Sequence, residues 1–389
     1  IYGLDGILVA HVFFNLPLAV RLLLASLERV PLEHWRVAQQ LSLSPWMTFR
    51  VLEWPAMRNV IGGVAGLVFM LCLTSFAVVL ILGGGPAATT LDVAIYQALR
   101  FDFDPQRAVA LGVLQLAITA GALAILSLTG LRLREEPTAS AVRTRPKSRG
   151  IVDAVLIAVA TVFVASPILA LAVRGLGADL ARLAGDGAVL SAAATSIGVA
   201  FAAGLLGVAT ALALAHGRAR AQYGRGVFAA AGSLTLVVSP VLLGAGWFVA
   251  LNRFGGGLGL ALPLLICANA ALALPFAMRI LDPAFASTAV RTDKLVAQLG
   301  LTDSARLRVV WWPMMRRPIL SALAFAAALS LGDLGVIALI GSQDLTTLPA
   351  LLMQRLGSYR TDDAAGLALI LALLAGSIFA LGDRGRSRL

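Results

Sequence analysis

Few residues of this sequence have the types and spacing that catalysis or metal binding requires. The chain has three histidines and two cysteines, and both cysteines, Cys72 and Cys267, lie inside apolar segments. Their spacing matches no metal-ligand pattern, and no His, Asp and Ser residues converge at one predicted depth. The glycine runs 83–85 and 255–257 are not followed by Lys-Ser or Lys-Thr, so they predict turns rather than phosphate loops. We therefore expect no metal site, no cofactor and no enzymatic reaction in this chain.

The polar residues that do form a pattern lie in two segments, which we call the first and second islands. The first island covers residues 31–58 and the second covers 291–316, and each lies between long apolar runs. The two align without a gap at an offset of 258 positions, which pairs Gln40 with Gln298, Leu41 with Leu299, Trp54 with Trp312 and Pro55 with Pro313. A polar segment that is repeated in an apolar chain predicts a binding surface for a partner outside the membrane.

Each island is predicted to fold as a helix-turn-helix. In the first island, Val37, Ala38 and Leu41 are expected to share one face of a short helix over 36–43. Ser44 followed by Pro45 then predicts the N-cap and first position of a second helix. Thr302-Asp303 supplies an equivalent start in the second island. We expect the second helix of each island to end at Pro55 or Pro313, where the next membrane span begins.

An apolar ridge on a rigid loop fits a groove in another protein. The alternative is that the ridge packs on its own helix bundle, and repetition at matched places in both halves favours docking. The predicted docking residues of the first island are Arg36, Val37, Ala38, Gln39, Gln40, Leu41, Ser42, Leu43 and Pro55. Those of the second island are Lys294, Leu295, Val296, Ala297, Gln298, Leu299, Gly300, Leu301 and Pro313.

The composition places the chain in a membrane. It is 59% hydrophobic and only 13% charged, with a mean hydropathy of +0.89, whereas about a quarter of the residues in a soluble domain are charged. Runs such as 60–82 and 108–131 are long enough to cross a bilayer, which takes roughly 20 apolar residues. A transmembrane β-barrel would show short alternating segments instead. The predicted fold class is an all-α polytopic membrane protein.

Hydropathy predicts nine spans, and the charges of the loops orient them. The spans cover about 3–24, 60–82, 108–131, 151–173, 188–215, 227–250, 258–281, 319–341 and 362–382. If the first island is cytoplasmic, the cytoplasmic segments hold 22 Lys or Arg residues and the outer loops hold 7. Positive charge concentrates on cytoplasmic loops, which explains the net charge of +11 without nucleic acid. Both islands and the C-terminus are thus predicted to be cytoplasmic.

The repeat predicts the domain organisation. Residues 1–131 form three spans of a first repeat, 132–150 form a basic cytoplasmic linker, and 151–389 form a second repeat of six spans. Both repeats run in the same direction, so a pseudo-twofold axis is expected along the membrane normal. The first repeat has no counterpart of about 151–258, so we expect the parent protein to continue before residue 1.

The islands resemble the EAA loops of ABC importer permeases, in which a glycine precedes a proline by thirteen residues. Gly300 and Pro313 keep this interval, and Ser42 and Pro55 keep it with serine in place of glycine. Arg36 and Lys294 stand where the family motif opens with an acidic residue. Two halves in one chain are similar to the permeases for ferric iron, thiamine and related cargoes. The strings at 11–24, 82–108, 329–341 and 347–365 are most similar to thiamine permeases.

This resemblance implies two parallel repeats of a type I ABC importer permease bundle, of which the first is incomplete. It implies a bacterial inner membrane location, a periplasmic thiamine-binding protein as partner, and two copies of a cytoplasmic ATPase that hydrolyses the ATP. Thiamine or its phosphates would be the cargo. Two alternatives stay open: a permease for ferric iron or another small cargo, and an ion-coupled secondary transporter. The ion-coupled transporter is disfavoured because, apart from Asp333, no acidic residue lies well inside a predicted span to carry the coupling ion.

A few polar residues inside spans are candidates for the translocation path. Asp333 is the most informative, because a charge inside the bilayer is costly and usually functional. It is expected either to face a water-filled path or to have a partner in the bundle. The candidates are Asp333, its repeat counterpart Ser75, Asn15, and the equivalent pair His11 and Asn269. For the last three, hydrogen bonding between helices is the favoured role.

The charge asymmetry can be tested by labelling single cysteines in a chain whose native cysteines are replaced by serine. Ser148→Cys and Ser304→Cys are expected to react with a membrane-impermeant maleimide only from the cytoplasmic side. Ser358→Cys is expected to react only from outside. Labelling of positions 148 and 304 from opposite faces would contradict the parallel repeat.

Overall fold

A computed structural model describes the backbone of residues 2–83, 88–128, 150–220, 228, 232, 238–253, 260–298, 302, 305–342 and 345–383. Within these ranges the regular secondary structure is helical throughout, which confirms the predicted all-α class. Three predicted docking residues, Leu299, Gly300 and Leu301, lie outside the described residues. So does the predicted linker 132–150, apart from Gly150.

The described residues from 2 to 128 form seven α-helices. They are α1 (Leu4–Leu27), α2 (Leu32–Gln40), α3 (Pro45–Thr48), α4 (Trp54–Leu73), α5 (Phe76–Leu82), α6 (Leu91–Arg100) and α7 (Pro105–Leu128). A π-helical segment, Phe49–Glu53, joins α3 to α4 without a break.

The described helices that follow are α8 (Ile151–Gly177), α9 (Leu180–Gly185), α10 (Gly187–Arg220), α11 (Pro240–Arg253), α12 (Ala261–Gln298), α13 (Trp312–Leu331), α14 (Gly335–Ile340), α15 (Leu348–Gly357) and α16 (Thr361–Asp383). A second π-helical segment, Arg306–Trp311, leads directly into α13.

Eight helical segments of the described chain are long and apolar enough to cross a membrane. They are Leu4–Leu27, Pro45–Leu73, Pro105–Ile125, Ile151–Gly177, Gly187–Arg218, Ala261–Thr288, Arg308–Leu331 and Thr361–Gly382. Each overlaps a predicted span. The ninth predicted span, 227–250, meets only the shorter apolar helix Pro240–Ala250 within the described residues.

Two predicted spans are wrong at their C-terminal ends. The prediction over 60–82 ran through the break between α4 and α5, and the prediction over 319–341 ran through the break between α13 and α14. Window-averaged hydropathy cannot detect such breaks, because the residues on both sides are apolar. Ser75 lies in the first break and Asp333 in the second, 258 positions apart.

The same offset relates the helix bounds of the two parts. Trp54–Leu73 and Trp312–Leu331 correspond end to end, and a π-helical segment precedes both.

The exception is α12, which is continuous where α1 and α2 are separate helices. Pro31 stands at this break, and its counterpart at position 289 is alanine. Proline cannot donate the helical hydrogen bond and disfavours helical backbone in the residue before it, so the first part breaks here.

The chain packs into two compact units, which do not follow the predicted repeat boundaries. One comprises Ile1–Ala94 and Leu111–Leu169, and the other comprises Ile95–Ala110 and Ala170–Leu389. In the first unit, α1 packs against α4 and α5. The predicted division at 132–150 remains a prediction.

The core of the second unit lies where α10, α12 and α13 meet. Its buried residues are Val208, Ala211, Ala215, Leu274, Ala277, Met278, Leu281, Phe285, Met315 and Ala322. Small residues let the helices approach closely, since a Cβ on Gly207 would lie 3.1 Å from the Ala270 carbonyl oxygen. In lipid such close packing replaces the hydrophobic effect as the force between helices.

An ion-pair network joins the start of α10 to α15 and α16 in the second unit. Arg355 lies 2.9 Å from an Asp186 carboxylate oxygen and 3.6 Å from one of Asp363. Arg182 forms a further ion pair with Asp363. The side chains of Arg355 and Asp363 are only 14% and 11% exposed. The network therefore fixes these helix ends with little competition from solvent.

Arg355→Ala is expected to lower the free energy of unfolding by about 1.5–3 kcal/mol, because it leaves two partly buried carboxylates without their shared donor. Thermal unfolding of the reconstituted protein measures this effect. Arg360→Ala is the matched control, since Arg360 is exposed and has no ion pair within the described residues. Equal midpoints for the two variants would contradict a stabilising network.

Candidate coupling surface and polar residues of the spans

The first helix of the first island, α2, presents one apolar edge outward and buries another. Trp35 and Ala38 are buried, at 2% and 6% exposure, whereas Val37 and Leu41 are 50% and 66% exposed. The prediction that Ala38 shares the outer ridge is therefore wrong. Ala38 lies one turn after Trp35 and packs inward with it. The exposed ridge consists of Val37 and Leu41, flanked by the exposed side chains of Arg36, Gln39 and Gln40.

A tight backbone turn follows α2 at the position where the EAA pattern has glycine. Ser42 has a φ of 48°, in the left-handed region. The Leu43 N–H donates to the Ala38 carbonyl at 3.1 Å, and the Ser42 N–H donates to that of Gln39 at 2.9 Å. This pair of hydrogen bonds is the Schellman motif, in which glycine avoids the steric cost of positive φ. The turn therefore explains the glycine preference, which Gly300 meets and Ser42 does not.

The second helix of the first island begins as predicted but does not end as predicted. The Ser44 hydroxyl accepts a hydrogen bond from the Met47 N–H, and Pro45 occupies the first helical position. The helix does not end at Pro55. It continues through the π-helical segment into α4, where Pro55 lies in the first turn.

The π-helical segment explains why Pro55 is tolerated. In an α-helix its ring would clash with the carbonyl of Val51, and it has no N–H to donate there. The Trp54 N–H instead donates to the carbonyl of Phe49, five residues back. This wider turn shifts the hydrogen-bond register just before the proline. Pro313 occupies the corresponding first turn of α13, so the prediction of a helix end is wrong there for the same reason.

The second island is described in part. Lys294, Leu295, Val296, Ala297 and Gln298 form the end of α12, and Gln298 is exposed. The side chain of Thr302 accepts a hydrogen bond from the Ala305 N–H at 3.4 Å, as expected for a helix start. Pro313 is exposed.

Asp333 lies half-buried in the break between α13 and α14, where it binds backbone. Its two carboxylate oxygens accept hydrogen bonds from the N–H groups of Gly335 and Val336, each at 3.3 Å. These are free N–H groups of the first turn of α14, which a carboxylate satisfies well. Ser75 occupies the equivalent break but makes no side-chain cap to α5. A carboxylate therefore accepts the backbone hydrogen bonds of the helix start at the second break, whereas the Ser75 side chain accepts none at the first.

Asparagine side chains link helices beside both breaks. Asn269 donates to the Ser330 hydroxyl at 2.9 Å, joining α12 to α13. Asn15 donates to the Cys72 sulfur at 3.6 Å, joining α1 to α4, and to the His11 carbonyl at 2.8 Å. The prediction of inter-helix hydrogen bonding is confirmed for these two asparagines. For His11 it is not, because its buried Nε2 has no partner among the described residues.

Sequence reasoning missed Cys72 and Ser330 as members of these links. They lie 258 positions apart, and each accepts the hydrogen bond of the asparagine. Cys72 does so on α4 and Ser330 on α13. The Asp333 N–H donates to the Ser330 carbonyl, and the Ser75 N–H donates to that of Cys72, both at 3.3 Å. Each link is therefore contiguous with its helix break. The repeat offset was the signal that could have found them.

Comparison with known proteins identifies the family. Residues 2–134 match the model of the binding-protein-dependent transport system inner membrane component family. The thiamine transport system permease protein of Brucella abortus (strain 2308) is 50% identical over 390 residues, which cover 99% of this chain and 72% of that protein. The protein of the same description from Escherichia coli (strain K12) is 41% identical, with 98% and 73% covered. That of Haemophilus influenzae is 36% identical, with 98% and 72% covered.

The helices described above are consistent with these relatives, since both the family description and the apolar spans indicate a multi-pass inner membrane protein. The chain belongs to the family of thiamine transport system permease proteins, among the inner membrane components of binding-protein-dependent transport systems.

Proposed function

We propose that this chain is the permease subunit of an ABC importer that carries thiamine and its phosphates across the inner membrane. The observation that carries the proposal is the 50% identity over 99% of the chain with a thiamine transport system permease. A periplasmic binding protein delivers the cargo, and a separate cytoplasmic ATPase, present in two copies, hydrolyses the ATP. The permease itself catalyses no reaction.

The two islands are the contacts with the ATPase pair. The first island supports this role by its shape: Trp35 and Ala38 anchor α2 inward, and the Schellman turn holds Val37 and Leu41 outward. An exposed apolar pair on a fixed helix is suited to a hydrophobic groove in a partner. The second island offers the same sequence pattern at the same offset.

A displacement of the first island has a direct route into the membrane. The helical backbone is unbroken from Pro45 through the π-helical segment to Leu73. When the ATPase pair closes around ATP, the movement of α2 reaches this continuous helix through the turn at residues 41–44. The corresponding helix in the second repeat runs from Arg308 to Leu331.

Leu41→Asp is expected to abolish coupling, because it places a charge at the centre of the proposed apolar contact. Proteoliposomes that hold the natural full-length permease, its ATPase and the binding protein should accumulate thiamine only with ATP. The variant should lose at least tenfold of this uptake and should release the ATPase during purification. Phe101→Asp is the matched control, since Phe101 is 65% exposed and predicted to lie on the outer side. Unchanged retention of the ATPase by Leu41→Asp would contradict the docking role.

Asp333 is proposed to attract the cationic cargo at the break between α13 and α14. The two backbone hydrogen bonds hold its carboxylate in one orientation while leaving the side chain half-exposed. Helix breaks of this kind are tolerated in membranes where they line a polar cavity. A fixed carboxylate there lowers the energy of a positively charged thiazolium ring on the path.

Asp333→Asn removes the charge and keeps one acceptor for the α14 cap. Thiamine uptake is expected to fall severalfold, while assembly with the ATPase and the thermal midpoint change little. Asp333→Ser, which copies the residue of the other repeat, should remove both the charge and part of the cap. Loss of stability and assembly in Asp333→Asn in proportion to uptake would show a purely structural role. Normal uptake with normal stability would exclude both roles.

A further inference from the structure

The start of one membrane helix in each repeat carries the same three exposed residues at four-residue spacing. They are Arg50, Trp54 and Arg58 on one helix, and Arg308, Trp312 and Arg316 on the other, 258 positions later. We call these sets the first and second Arg-Trp-Arg stripes. All six side chains are exposed, and the tryptophans are 44% and 60% exposed.

Four-residue spacing places the members of a stripe on one side of the helix. The stripes also lie in the N-terminal halves of two candidate spans, Pro45–Leu73 and Arg308–Leu331. The side of α4 that carries Arg58 continues toward Phe69, which is 50% exposed, and that of α13 toward Leu320, which is 55% exposed. The helix face that carries each stripe therefore changes along its length from charged and aromatic residues to apolar ones, as expected where a helix enters a bilayer.

The four arginines have no ion-pair partner among the described residues. A guanidinium group matches the oxygen atoms of a phosphate with two parallel hydrogen bonds. Tryptophan concentrates at the membrane surface, where its ring is partly apolar and its N–H can reach polar groups. In each stripe the tryptophan lies between the two arginines along the helix, so its ring and the two guanidinium groups occupy neighbouring depths on the same helix surface.

We propose that each Arg-Trp-Arg stripe binds the phosphate headgroup of an anionic phospholipid. The charge complementarity favours an anionic lipid over a zwitterionic one, since two arginines lie on one side of each helix and neither forms an ion pair within the part of the chain that the structure describes. Continuity with exposed apolar residues of the same helix favours a lipid over a soluble protein. The stripes lie within the two islands, at 50–58 and 308–316, so the inference rests on the ATPase contact being made by α2 and its counterpart and not by the helix that follows each of them.

The test compares lipid retention by the natural full-length transporter in nanodiscs that contain phosphatidylglycerol and phosphatidylcholine. Native mass spectrometry counts the lipids of each kind that remain bound. Arg50→Gln with Arg58→Gln, and Arg308→Gln with Arg316→Gln, remove one stripe each. Each pair should lower the preference for phosphatidylglycerol at its site by roughly fivefold for every arginine removed. The combination of all four should lose the preference at both sites.

Arg174→Gln with Arg360→Gln is the control, because it removes the same charge from two exposed arginines outside the stripes. Retention of phosphatidylglycerol should stay at the wild-type level in this control. An equal loss in stripe and control variants would overturn the proposal, since only net charge would matter. Loss of the ATPase with unchanged lipid retention would also overturn it, because the arginines would then belong to a protein contact. Thermal midpoints near wild type ensure that the variants are folded.

Discussion

Backbone hydrogen bonding inside a bilayer is the constraint on which the rest of this structure depends. Lipid offers no partner to an N–H or C=O group, so the described spans are helices. Where a helix breaks, other atoms must form hydrogen bonds with the backbone groups that the break leaves free. The Asp333 carboxylate does this for the first N–H groups of α14, and the Ser330 carbonyl accepts from the Asp333 N–H. The charged residue inside the span is thus tied to the geometry of the break.

Proline has no N–H to donate to a helical hydrogen bond, and the helices of this chain respond to it in two different ways. Pro31 separates α1 from α2, and the loop then turns into the first island. Pro55 and Pro313 do not break their helices, because a π-helical segment moves the hydrogen-bond register before each of them. The first case creates a corner between α1 and α2. The second preserves a continuous rod from island to membrane.

The two parts of the chain share this plan but are not chemically equal. The asparagine links have different acceptors, a thiol at Cys72 and a hydroxyl at Ser330. Asp333 has only Ser75 as its counterpart, and the strained turn at Ser42 stands where the other repeat has Gly300. The two repeats therefore differ in the residue at the island turn and in the presence of a carboxylate at the helix break.

The sequence by itself determined the all-α membrane class, most of the spans and the position of both islands. These features follow from local composition and from a repeat that can be aligned by eye. It also predicted the Ser44 cap and the asparagine links. It did not predict that Ala38 points inward, that the helices run through Pro55 and Pro313, or that spans break at Ser75 and Asp333. Those outcomes depend on which backbone group finds a partner and which side chain meets a neighbouring helix, and only the tertiary structure decides such pairings.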